Sequence, residues 1–228
     1  MRGLFVTATD TGVGKTVLSA ALLAALSAGG ESVRAFKPVV TGLQDEAEIS
    51  ARGVWPPDHE LLAAAAGMAA DEVSPLRYGP AVSPHLAAAL AGERIDPATL
   101  LAAARAHDGE AGTLVVEGVG GLLTPLGDDY SVCDLAVALE LPVVIAARPG
   151  LGTINHTLLS IRAARAAGLD VRAIVLTPWP AQPTVMQQSN RATIARLGQV
   201  PVRTLRQIPS PELAELADAG TPLLSLLD

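Results

Sequence analysis

The chain is short of cysteine, of clustered basic residues and of long apolar runs, and each shortage removes a class of function. Cys133 is its single cysteine, so neither an intramolecular disulfide framework nor a cysteine-based zinc site can be built. That suits a reducing cytoplasm, the expected localisation. Asp and Glu (23) outnumber Lys and Arg (16), leaving a net charge of −7, and no basic cluster interrupts the balance. Nucleic acid and anionic membranes are therefore poor partners. No apolar run approaches the ~18 residues of a membrane-spanning helix, and a glycine loop arrives too early for a signal peptide. H-E-x-x-H, C-x-x-C and G-x-S-x-G are absent too, which removes the key residues of metalloproteases, thiol oxidoreductases and α/β-hydrolases.

What is present is apolar and punctuated by glycine. Half of the 228 residues are apolar, enough for a sizeable core, and residues 1–228 read as one domain. The organising stretch is Thr9-Asp10-Thr11-Gly12-Val13-Gly14-Lys15-Thr16, between the apolar run Leu4-Phe5-Val6 and an Ala/Leu-rich helical segment. Strand, glycine loop, Lys-Thr and helix form the setting of a phosphate-binding loop, although Thr9 stands where the strict pattern has its first Gly. Its backbone N–H groups and the helix N-terminus would hold phosphates. Lys15 would reach the β- and γ-phosphates, and Thr16 would offer its hydroxyl to Mg²⁺. The competing reading is an ordinary glycine turn between strand and helix.

Strand and helix signals alternate along the rest of the chain. Strands are expected at 3–8, about 32–37, 113–116, 142–146, 171–176 and 202–205, with helices between them. That alternation predicts an α/β fold of P-loop NTPase type, a parallel sheet with helices on both faces and right-handed crossovers. Ligands bind at the carboxyl edge of such a sheet. Lys37 and Glu117 both fall at strand ends there, the first read otherwise as a solvated charge, the second as part of a tight turn. Glu117 followed by Gly118-Val119-Gly120-Gly121 is where a second Mg²⁺ contact sits in a P-loop protein. Asp58 reads equally as the N-cap of a helix starting at His59 or as a metal ligand. Asp96-Pro97 reads as N-cap and N1 of another helix. Gly150-Leu151-Gly152-Thr153 opens a helix whose N-terminus is a further potential anion site.

Taken together, Thr9 to Thr16, Lys37-Pro38-Val39 with Thr41-Gly42, Ser83-Pro84-His85, Glu117 to Gly121 with Thr124-Pro125-Leu126, and Leu151-Gly152-Thr153-Ile154-Asn155-His156 resemble dethiobiotin synthetase in order and spacing. The resemblance implies ATP- and Mg²⁺-dependent closure of a ureido ring on 7,8-diaminopelargonic acid with CO₂, the penultimate step of biotin synthesis. It implies catalytic roles for Lys15, Lys37 and Thr11, and a metal set of Thr16, Asp58 and Glu117, with Asp45 as the rival to Asp58. Nucleotide contacts would come from Gly12, Val13, Gly14, Lys15, Thr16, Val17, Asp58, Glu117, Gly118, Val119, Gly120, Thr177, Pro178, Ile208, Pro209 and Ser210. Substrate contacts would come from Thr41, Ser83, Pro84, Gly121, Leu151, Gly152 and Asn155, the last three across a homodimer interface. Thr177-Pro178-Trp179 stands where the family offers an Asn to adenine, so other nucleoside triphosphates are expected to compete with ATP. Two other readings share the loop. Cobyrinic acid amide synthetases normally carry a glutaminase domain with a catalytic Cys, and Cys133 lies in no nucleophile motif. ParA/MinD-like ATPases place a Lys five residues before the loop Lys, where this chain has Asp10.

Overall fold

Apolar runs become strands buried on both sides, and β1 (Gly3–Ala8) shows why: Leu4, Val6 and Ala8 enter one core and Phe5 the other. The computed structural model describes residues 2–107 and 112–227. After β1 come α1 (Lys15–Ala28), β2 (Val33–Phe36), β3 (Val39–Val40), α2 (Glu46–Arg52), α3 (Asp58–Ala66), α4 (Ala70–Val73), β4 (Leu76–Arg77) and α5 (Pro84–Leu90). The chain continues through α6 (Pro97–Arg105), β5 (Thr113–Glu117), α7 (Val132–Leu139), β6 (Val143–Ala147) and α8 (Thr153–Ala166). It closes with β7 (Val171–Trp179), α9 (Val185–Gly198), β8 (Val202–Arg206), α10 (Leu213–Gly220) and a 3₁₀ turn at Thr221–Leu226.

The main sheet has the order β2-β5-β1-β6-β7-β8, all parallel. Helices α1, α3 and α10 pack on one face, and α6 to α9 on the other. β1 lies between β5 and β6, with Val6 opposite Glu117 and Ala8 opposite Ala146. The backbone continues the ladder past the strand ends, from Gly118 N–H to the Val6 carbonyl (2.9 Å) and from Thr9 N–H to Ala146 (3.0 Å). This register delivers the glycine loop, Lys37, Glu117 and the segment after β6 to one sheet edge. The chain turns toward β2 after β1 and toward β6 after β5, so that edge contains a change of direction, where α/β sheets open a crevice.

Four local expectations are amended. Asp58 is not an N-cap. Pro57 holds that position, and Asp58 lies in the first turn of α3 with its carboxylate directed elsewhere. The segment before it contains α2, capped by Asp45, whose carboxylate accepts from the Glu48 N–H at 3.0 Å. β7 does not stop at Leu176 but runs through the cis Thr177-Pro178 bond to Trp179, opposite Arg206. Pro178 is tolerated because the pairing with β8 shifts register there and no ladder N–H is required of it. Finally, β3 and β4 form a small parallel pair, prolonged by Tyr78 N–H to Val40 and Gly42 N–H to Pro80 (2.8 and 2.9 Å). Two-residue strands are too short to show a period. Asp96 caps α6 as expected, accepting from the Ala98 and Thr99 N–H groups. No described helix is long and apolar enough to cross a membrane.

Candidate active site

Gly14 sits between β1 and α1 in a left-handed conformation (φ 100°), and Gly12 in the same loop has φ 66°. Side-chain-bearing residues rarely adopt these angles, so the two glycines let the loop curl over the start of α1. The neighbouring valines turn their side chains into the core instead. Val13 is 2% exposed in the α1 core, and Val17 packs against that core. Thr177, also 2% exposed, lies behind the loop, its methyl and hydroxyl 3.3 Å from where a Cβ on Gly14 would stand. Any contact of Val13 with a nucleotide is therefore a backbone contact.

Lys37 follows β2, Glu117 ends β5 and Asp58 opens α3. These three elements bring one ammonium between two carboxylates: Lys37 Nζ is 2.5 Å from Glu117 Oε1 and 2.8 Å from Asp58 Oδ2. The Thr16 hydroxyl donates to Glu117 Oε1 at 2.8 Å. The side chains of Lys37 and Glu117 are 4% and 0% exposed, that of Asp58 43%. The cluster therefore opens toward solvent on the Asp58 side. Burial alone would drive the Lys37 ammonium toward neutrality, but the two carboxylates outweigh it and hold the pKa raised. At Asp58 burial again opposes charge, and the Lys37 cation and Thr16 hydroxyl prevail, keeping the carboxyl below its ordinary range. Lys15 differs. Burial first, then repulsion from Lys37, lower it to about 8 against the pull of Glu117, Asp58 and Asp10. Among the described residues its ammonium donates only to the Asp10 carbonyl, at 3.4 Å.

Lys15 and Lys37 are the only lysines in the chain, the other 14 basic residues being arginine. Every amine-bearing side chain thus lies in this cluster.

The donor set fits Mg²⁺. Glu117 Oε2 is buried without a partner, and a hard cation with oxygen ligands would satisfy it beside the Thr16 hydroxyl and Asp58. Among the described residues no three of His, Cys, Asp and Glu group as a metal cage. Two carboxylates and a hydroxyl are the kind of set that holds Mg²⁺ together with substrate phosphates.

The other expected residues divide into those brought to this edge and those buried behind it. Gly118 is a packing position: a Cβ there would stand 2.8 Å from Val132 and 3.3 Å from Phe5. Gly121 N–H donates to the Thr124 hydroxyl at 2.9 Å, and Thr124 N–H returns to the Gly121 carbonyl, fixing the turn that follows Val119 and Gly120. Thr41 follows β3, and its neighbour Gly42 lies against Ala81, so Thr41 and Ser83-Pro84 sit on adjoining segments. Ser83 is the N-cap of α5 without a side-chain capping bond. Leu151 is 93% exposed, Gly152 is the left-handed N-cap of α8, and Asn155 is exposed on its first turn. Ile208 is 7% exposed and packs in the α10 core, while Pro209 and Ser210 continue the loop after β8. Asp45, engaged in capping α2, is not part of the Lys37 cluster.

Sequence reasoning missed two residues. Arg148, directly after β6, donates from Nη2 to the Thr11 and Gly12 carbonyls at 3.2 and 3.1 Å. Asn190 of α9, 7% exposed, donates from its side-chain nitrogen to the Pro149 and Gly150 carbonyls at 3.0 and 3.1 Å. The argument that singled out Lys37, a cation closing an apolar strand at the carboxyl edge, applies equally to Arg148.

Residues 2–212 match the model of an AAA domain family. An ATP-dependent dethiobiotin synthetase of Anaeromyxobacter dehalogenans is 41% identical over 200 residues, 86% of each chain. That of Bacillus subtilis is 34% identical over 204 residues, 89% of this chain and 85% of its own. The chain belongs to the dethiobiotin synthetase family. The fold is also that of a ParA family ATPase from Chlorobium tepidum, with a TM-score of 0.53 at 15% identity over 99% of this chain and 92% of the other. A ParA-like signature lysine is missing from this synthetase-family chain: Asp10 occupies the position, and its carboxylate accepts from the Thr11 N–H at 2.7 Å.

Proposed function

We propose that the chain is an ATP-dependent C–N ligase that makes dethiobiotin from 7,8-diaminopelargonic acid, CO₂ and ATP in the cytoplasm. The observation that carries this reading is the Lys37–Glu117–Asp58 cluster beside a glycine loop in a synthetase-family chain. A diamine that has taken up CO₂ presents a carbamate. One carbamate oxygen attacks the γ-phosphorus, the bond to the bridging oxygen breaks, and ADP leaves. The second amine then attacks the carbamoyl carbon, closes the ring and expels phosphate. No redox partner is needed.

Negative charge builds on carbamate and phosphate oxygens in both steps, and fixed cations and N–H groups stabilise it best. Lys37 supplies a permanently charged ammonium held in place by two carboxylates. Lys15, poorly paired in the free protein, is available to the transferring phosphoryl group. The loop amides from Gly12 to Thr16 hold the phosphates, and Thr11 lies at the carbamate side. Thr16, Glu117 and Asp58 would hold Mg²⁺, which supplies charge neutralisation on the phosphates. Thr41 and the Ser83-Pro84 loop bound the diamine site. Leu151, Gly152 and Asn155 receive the substrate carboxylate at a homodimer interface, consistent with their exposure on one chain. A fully active monomer would overturn the dimer. With Thr177 turned onto the glycine loop rather than a base, CTP and GTP compete with ATP. ATP binding a hundredfold tighter than every other triphosphate would overturn that reading.

The test is phosphate release with Mg²⁺, ATP and bicarbonate, with and without the diamine. Release only with the diamine, matched by dethiobiotin in the mass spectrum, is expected. Release indifferent to the diamine would overturn the substrate assignment.

A further inference from the structure

We infer that Arg148 is a positioning residue for the nucleotide loop, holding its amides toward the phosphates from behind; the inference rests on the nucleotide reading above. A trans peptide unit points its C=O and N–H in opposite directions. The Arg148 guanidinium bonds the carbonyls of Thr11 and Gly12. The N–H groups sharing those two peptide planes belong to Gly12 and Val13, and they point away from Arg148, into the loop. A charge-assisted bond to a carbonyl also polarises its peptide unit and strengthens the N–H on the far side. Gly12 leaves room for this: a Cβ there would stand 3.3 Å from Arg148 Nη2.

Arg148 is itself anchored. It follows β6, whose Ala146 carbonyl accepts from Thr9 N–H, so strand and loop are already tied at their bases. On its other side, buried Asn190 fixes the Pro149 and Gly150 carbonyls. The same turn continues through Leu151 to Gly152, the N-cap of α8. One short segment, braced by α9, therefore sets the glycine loop at one end and the start of α8 at the other.

The test compares the unmodified chain with Arg148→Ala and Arg148→Lys. Mg-ATP affinity, by calorimetry, should fall roughly ten- to a hundredfold in Arg148→Ala, as expected for loss of a charged hydrogen-bond donor. The melting temperature should hold, and the ¹⁵N resonances of the Gly12 and Val13 amides should shift in the free protein. Arg148→Lys should recover part of the affinity. Mg-ATP affinity within twofold of the unmodified chain would overturn the inference. So would a defect confined to the KM for the diamine, which would make Arg148 a contact for the substrate carboxylate. An unmodified chain that bound no Mg-ATP would instead overturn the nucleotide reading, and this inference with it.

Discussion

Before Lys15 and Thr16, the groups the glycine loop is proposed to offer a ligand are backbone amides, while the flanking side chains of Val13 and Thr177 are packed away at 2% exposure. Across the cleft the reverse holds: Lys37, Asp58 and Glu117 meet through side chains drawn from three elements. The first region needs one contiguous segment with two left-handed glycines. The second needs β2, α3 and β5 in correct register. A site made of backbone tolerates varied side chains, whereas a site made of one ammonium and two carboxylates fails when any partner is removed.

The sharpest way to expose that difference is Lys37→Met. It leaves Glu117 buried with its charge unpaired, and it removes a fixed cation from the transition state. Product formation should fall about a thousandfold, with an unfolding free energy lower by roughly 3 kcal/mol in urea titration. Val13→Ala, on the other side of the cleft, should cost stability and leave turnover at saturating ATP unchanged; a large loss of turnover would break the contrast.

Lys15 allows a second test, through pH. Its folded value of about 8 lies below its ordinary 10.5. Between those values the unfolded chain binds the proton and the folded chain has released it, so stability rises with pH through that window. Below pH 8 both states are charged and the cost of burying the ammonium is present in full. Integrated, this is on the order of 3 kcal/mol. Urea denaturation of the free protein should show that rise relative to Lys15→Met. Taking the difference cancels Cys133 and Tyr78, whose raised values act in the opposite sense. A pH-independent difference would mean that Lys15 is well solvated in the free protein.

Glu117→Gln keeps shape but removes the charge proposed to meet Mg²⁺. The Mg²⁺ concentration for half-maximal activity should rise about ten- to a hundredfold. The smallest effect is expected at Asp45→Ala: about 1 kcal/mol of stability from the lost cap of α2, with the Mg²⁺ requirement unchanged. A shifted Mg²⁺ requirement there would return Asp45 to contention with Asp58.

These contrasts also explain what could be read in advance. The glycine loop, the buried strands and the Asp96 cap are local patterns, visible within a few residues of sequence. The role of Asp58 was ambiguous because a carboxylate at a helix start satisfies two demands equally; the structure removes the first by placing Pro57 at the N-cap and the Asp58 carboxylate on Lys37. The β3–β4 pair left no trace because two residues carry no periodicity. Arg148 shares with Lys37 the signal of a cation closing an apolar strand, but its targets are carbonyls, which every residue has and no motif encodes.

The confinement of lysine to the cleft has a chemical corollary. A carbamic–phosphoric anhydride is an acylating agent, and the surface of this protein offers it no side-chain amine. Its exterior cations are arginines, whose guanidinium groups are not deprotonated in proteins. The same trait makes amine-directed labelling informative: beyond the chain's α-amino group, every modified side chain on the folded protein would mark the cleft, and nucleotide should protect it.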